Sequence, residues 1–251
     1  MYKNLWVLNC FLLATLLSSC TLSVAKLTPI KHIRYHTEKP DIDNSLVPFE
    51  DSKNHLYGYK DRFGKLTIPA KFTMAGNFNQ YGIADVVLKQ DLKGSNPNWV
   101  KINKSGKVLS YSYFFDNGPD YFVQGLSRFV KRGKIGFVDH KAQKVISAQF
   151  DWASPFVYDA PVSVVCNGCK SDSLGEHPEM KGGKWGAIDF KGKIIVPLEY
   201  EMSHAPSCRG RPDTEKYVTL TFTKDKNLYQ LFQTQDGDYK IIKNGLSPVL
   251  K

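Results

Sequence analysis

Long apolar runs are almost missing from this 251-residue chain: the one candidate lies at the N-terminus, from Leu5 to Leu17, and is broken by Asn9 and Thr15. A bilayer-spanning helix needs about 20 apolar residues, so a multi-span membrane fold is excluded. Motifs of catalysis are missing as well. There is no nucleophile elbow, no metal-binding His-Glu motif, no phosphate loop and no supported Ser/His/Asp set, and the chain is read as non-enzymatic with no cofactor. Acidic residues are in short supply, 24 Asp and Glu against 34 Lys and Arg, which leaves a formal charge of +10. That excess invites nucleic acid, an anionic membrane or glycan surface, or an acidic protein as partner. What is present is a globular composition: 13 Tyr, 15 Phe and 4 Trp among 42% hydrophobic residues, too aromatic for a disordered chain.

Met1 to Asn4 carry one cation, Lys3, ahead of the short apolar run, the layout of a secretory signal. The run ends in Leu17-Ser18-Ser19-Cys20, which resembles the bacterial lipobox. That resemblance implies cleavage before Cys20, lipidation of its sulfur and, with Thr21 rather than Asp next, sorting to the outer membrane, facing the periplasm. An ordinary cut after Ser23-Val24-Ala25 is the competing reading. Both readings export the chain and remove cytoplasmic nucleic acid as a partner, while loss of residues 1–19 takes one lysine and leaves +9. The expected organisation is a signal peptide over 1–19, a lipidated cysteine and mostly extended tether over 20–47, and a folded domain over 48–251. His32 and His36 lie in the tether and are read as polar tether residues, with no third metal ligand nearby.

Four stretches align without a gap: Tyr57 to Phe72, Trp99 to Phe114, Ile135 to Phe150 and Trp185 to Tyr200. Each opens on a large apolar residue followed by Gly58, Gly136 or Gly186, with Val100 in the second. Asp61, Asn103, Asp139 and Asp189 come next, then Gly64, Gly106 and Gly192 with Lys65, Lys107 and Lys193; Ala142-Gln143 replace that pair in the third. An Asp-x-x-Gly-Lys segment between β-branched stretches predicts a hairpin, the carboxylate capping the turn and the glycine supplying a positive φ. A third β-like stretch follows each of the first three hairpins, at 82–86, 125–129 and 161–165, and a degenerate fifth hairpin is expected around Asp236-Gly237. Unit starts are 42, 36 and 50 residues apart, the range of stacked β units that cannot bury their apolar faces alone.

These segments resemble WG-containing repeats, best in Lys184-Trp185-Gly186-Ala187-Ile188-Asp189-Phe190-Lys191-Gly192-Lys193-Ile194-Ile195-Val196-Pro197. The resemblance implies an all-β array of four to five hairpin-plus-strand units, either propeller-like or an open curved stack.

Candidate sites are few. Arg128, Lys131, Arg132, Lys134, Lys141 and Lys144 form the densest basic cluster and are the candidate partner-binding residues. Cys166, Cys169 and Cys208 remain after signal removal, an odd number; they are read as one disulfide with one thiol left over, Cys208 offering a join between two loops, and a zinc site including His204 is the weaker reading. Glu176, His177 and Glu179 are the only acid/base candidates, in a loop polar enough to be simply solvated. The expected function is that of a non-catalytic envelope lipoprotein, membrane-attached through its lipid, that binds a protein or other ligand. Two alternatives are an immunity protein neutralising an acidic toxin delivered to the periplasm, and a glycan or ester hydrolase.

Overall fold

A computed structural model describes residues 27–28, 30–31, 40–89, 98–156, 161–171, 180–204, 217–218 and 220–243. Among these residues there is no helix, and every sheet is antiparallel and open.

The hairpins arise from one turn, built the same way four times. In the first unit the Asp61 carboxylate accepts the backbone N–H groups of Phe63 and Lys65, both at 2.9 Å, while the Asp61 N–H donates to Lys65 O and that of Gly64 to Asp61 O. Asn103, Asp139 and Asp189 repeat every one of these bonds. The fourth residue of each turn needs a left-handed backbone, which Gly64, Gly106 and Gly192 supply at φ 82°, 75° and 79°; Ala142 is held there at 57°. A fifth turn starts at Thr234, whose Oγ1 accepts the Asp238 N–H at 3.1 Å, so a threonine takes the aspartate's place in the degenerate hairpin.

The strands flanking these turns explain the paired Gly and Pro. Leu56–Asp61 pairs with Leu66–Ala75 through Tyr57↔Phe72, Tyr59↔Ile68 and Lys60↔Leu66, and the third and fourth hairpins share this register residue for residue. Between the first two pairs, Gly58 alone faces Pro69, Ala70 and Lys71, a bulge in which proline's missing donor costs nothing. The bulged carbonyls press on the glycine: a Cβ on Gly58 would stand 2.5 Å from Ile68 O, and one on Gly136 2.5 Å from Ile146 O. The second hairpin runs regularly here, Val100↔Tyr111 and Lys101↔Ser110. With no bulge opposite, it has no need of glycine.

Past the bulge each second strand turns to pair with its unit's third strand. Leu66–Ala75 thus joins Ile83–Leu88, Trp152–Ala153 joins Val162–Ser171, and Met202–His204 joins Thr221–Lys224. Each third strand pairs in turn with the first strand of the next unit. The result is a nine-stranded sheet from Leu46 to Phe150, a four-stranded sheet from Trp152 to Tyr200 and a five-stranded sheet that holds the last hairpin. Two turn glycines land on a strand of the preceding unit: Gly106 lies against Ile68 and Gly192 against Ile146, at 3.1 and 3.2 Å from where a Cβ would be.

Two features differ from the expected extended tether. Leu46–Asp51 is already a sheet strand, paired with Leu56–Asp61, and Asp43 N donates to Phe78 O beside the first unit. Farther upstream, Leu27–Thr28 pairs with Thr234 and Gln233, and Ile30–Lys31 with Tyr217–Val218, which brings the start of the described chain to its end. A local pattern of Pro and polar residues reports neither pairing, because both are made with distant segments.

Candidate binding surface

The basic cluster does not survive as one surface. Arg128 is 2% exposed and forks onto Asp120, with Nη2 to Oδ1 at 2.6 Å and Nε to Oδ2 at 3.0 Å. Its Nη1 donates to Ala153 O and its guanidinium lies 4.1 Å over the Tyr113 ring. It is therefore an internal cross-link and is withdrawn as a partner contact. Lys134 pairs with Asp151 at 2.7 Å, and this hydrogen bond, with one from Gly168 N–H, holds the Asp151 carboxyl below its ordinary range. Lys131 and Arg132 sit at the tip joining Ser127–Lys131 to Lys134–Val138, whereas Lys141 and Lys144 sit at that second strand's other end. Six residues close in sequence are thus divided among the interior and two opposite rims.

The cysteines are placed differently from expectation too. Cys166 and Cys169 are disulfide-bonded to each other, with Cα atoms 6.1 Å apart, inside the strand Val162–Ser171 rather than in a loop. Gly168 at φ 80° makes room for the closure, and both sulfurs belong to the core with Trp185, Val164 and Phe222. Two of the zinc ligands considered above are consumed in this bond. Cys208, Glu176, His177, Glu179, His32, His36 and Cys20, with the signal around it, lie outside the described residues, as does the side chain of His204.

What the sequence does bring together is the set of turns. The first and second are linked where Leu46 pairs with Asp61 and Asp43 meets Lys104, a contact that lowers the Asp43 pKa from 3.8 to about 2. Lys104 also covers Gly82, and Asn79 Nδ2 donates to His140 O at 3.0 Å, which ties the second turn to the third. Phe156 packs on Phe137, just before the third turn, and stacks on Phe190 of the fourth at 4.8 Å. The fifth turn faces the fourth across a groove lined by Lys193, Ile194, Thr234, Asp236 and Tyr239, and burial, then Asp189, raises the Tyr239 hydroxyl's pKa. The turns form a continuous ladder. Along its first four rungs Arg62, Lys65, Lys104, Lys107, Lys141, Lys144, Lys191 and Lys193 are exposed, against Asp61, Asp139 and Asp189, which cap the turns.

Inside the second unit lies a polar layer that sequence reasoning missed. Lys101, 1% exposed, donates to both Asp85 oxygens at 2.8 and 3.1 Å, and its ammonium stands 4.7 Å from the Phe122 ring. Ser112 Oγ also donates to Asp85, while the buried hydroxyls of Ser110 and Ser127 and the Trp99 indole N–H have no partner among the described residues. The signal was available: by repeat position Lys101 replaces Tyr59 and Phe137, and Ser110 replaces Ile68 and Ile146.

The WG containing repeat model matches residues 57–90, 135–168 and 185–207. No curated protein and no solved structure matches the chain. The three matched stretches start where the three hairpins bulged opposite glycine start, and the second hairpin, with Val100 and no bulge opposite it, falls outside them. Turn, bulge and family model agree unit by unit, and the chain is a WG-repeat protein.

Proposed function

We propose that this chain is a non-catalytic, lipid-anchored module of the bacterial envelope that binds a partner through its ladder of turns. The observation that carries the reading is the ladder itself: identical turns, each fixed by four hydrogen bonds, hold exposed side chains of successive units at set spacings. Binding residues belong on loops held by a rigid scaffold, and a turn whose backbone donors and acceptors are internally satisfied presents its side chains at low entropic cost. The internal disulfide is in keeping with an oxidising compartment such as the periplasm. The test has two arms. Growth with a fatty-acid analogue should label the protein through Cys20, and a label that persists in Cys20→Ala removes the anchor. Cross-linking in intact cells should trap a partner through turn lysines, and the module reading fails if partners are captured equally when Lys104, Lys107, Lys191 and Lys193 are all Ser.

The immunity alternative rested on a concentrated basic surface that would steer an acidic toxin. With Arg128 internal and the remaining cluster divided between two rims, a broad ladder contact is the better supported form of binding.

A further inference from the structure

The ladder and the N-terminal segment meet at one place. Leu27 pairs with Thr234, the first residue of the fifth turn, so the chain enters the fold at the end of the same ladder that carries the cations. If Cys20 is acylated, only six residues separate the lipid from Leu27. At about 3.3–3.6 Å per residue, that short piece keeps this end of the ladder near the bilayer surface.

We infer that the cationic ladder is a second membrane contact, lying against anionic lipid headgroups and orienting the module on the surface to which its lipid attaches it. The inference rests on the lipid-anchor reading above and names anionic headgroups as the partner that the ladder of turns binds. Three observations carry it. The eight exposed cations of the first four turns exceed the three turn aspartates and Asp43, which pairs with Lys104, by four charges, and the turn aspartates already accept two backbone N–H bonds each. Exposed apolar groups stand beside the cations, Phe63 at 80% and Leu66 and Ile194 at just over half, with the Arg62 guanidinium 4.7 Å above the Phe63 ring. That mixture of cations with an exposed aromatic and aliphatics suits the headgroup region better than it suits water. Finally, Leu27–Thr28 pairs with Thr234 and Gln233 at the ladder end, whereas Lys53 and Lys131 sit at the tips of other hairpins on the opposite rim. The fifth turn adds Asp236 and Asp238 against Lys240, so the cationic contact begins one rung beyond the entry point. Each cation near an anionic surface contributes a few-fold in affinity, so the ladder adds an orienting contact to the lipid anchor.

The test is lysine footprinting of the full processed protein in vesicles of phosphatidylethanolamine with and without phosphatidylglycerol, using a water-soluble acylating reagent and mass spectrometry. Acylation of Lys65, Lys104, Lys107, Lys141, Lys191 and Lys193 should slow by about fivefold only when phosphatidylglycerol is present, and recover at raised salt, while Lys53 and Lys131 stay unchanged. Equal rates in both vesicles, or protection spread evenly over both rims, overturn the inference. Lys191→Glu with Lys193→Glu should lose the protection; these changes leave the turn's backbone bonds in place, and retained protection in a folded variant also overturns it. Flotation with neutral vesicles reports the lipid independently. Failure there with ladder protection intact removes the anchor and keeps the contact, whereas flotation without protection does the reverse.

Discussion

In the first and third units an aromatic pair fills the space beneath the hairpin, Tyr59 on Phe78 at 4.8 Å and Phe137 on Phe156 at 4.7 Å. In the second unit Lys101 occupies that position and meets Phe122 and Asp85, and a second ion pair, Arg128 with Asp120, closes the junction with the third unit. The hydrophobic clusters reflect this: one centres on the first unit, one on the third and one on the fourth with the last hairpin, and among the described residues none centres on the second, whose Val100 and Ile102 join the first unit's cluster. Yet all four turns keep the same hydrogen bonds. The turn therefore specifies the hairpin locally, and what lies under the hairpin is free to vary so long as its charges are paired. Buried pairs are weak sources of stability but costly to break, so the second unit is held by specificity more than by burial.

The comparison can be broken most strongly at Asp120. Asp120→Ala leaves the Arg128 guanidinium buried beside two aromatic rings with half its partners gone, and urea unfolding should show a loss of about 3–5 kcal/mol. Next comes the glycine opposite the bulge. Gly136→Ala forces a methyl against Ile146 O and should cost about 1–3 kcal/mol; a loss near zero would disconnect glycine from bulge. A smaller change is expected at the polar layer. Lys101→Met alone strands Asp85, but paired with Asp85→Val it should restore stability to within about 1 kcal/mol of the parent, since a buried pair exchanged for apolar groups is near neutral. The gentlest probe is pH. Because Lys104 holds the Asp43 carboxyl at about 2 rather than 3.8, the contribution is complete above 3.8 and disappears as pH falls towards 2; Asp43→Asn should flatten that part of the acid-unfolding curve.

These contrasts also mark how far the sequence could be read. Asp61, Asn103, Asp139 and Asp189 were legible because a turn's bonds lie within five residues and its chemistry is written in consecutive letters. The third strands were legible as β-like stretches after a gap: the observed Ile83–Leu88 and Ser127–Lys131 fall within two residues of the expected stretches, and Val162–Ser171 starts one residue later than expected and runs six residues further. Arg128 misled because a charge in sequence reads as surface, and only its long-range partners Asp120 and Ala153 put it inside. Cys166 with Cys169 misled for a related reason. A CxxC in a stretch that reads as polar loop carries no sign of the hairpin that extends through Ser171↔Met180 and places both sulfurs in a core.

The unequal spacing of the units, 42, 36 and 50 residues, acquires a meaning from where the extra residues go. They collect at the tips that join one unit's third strand to the next unit's first: Leu88 to Trp99, Lys131 to Lys134, and Ser171 to Met180. The capped turns keep a constant length. One rim is thus closed to insertion by its hydrogen bonds, and the other takes in chain of any length without disturbing the stack. For grafting a reporter, a tag or a foreign loop, the tip between Lys131 and Lys134 is the point of entry, remote from the turns and bounded by strands whose register would not have to change.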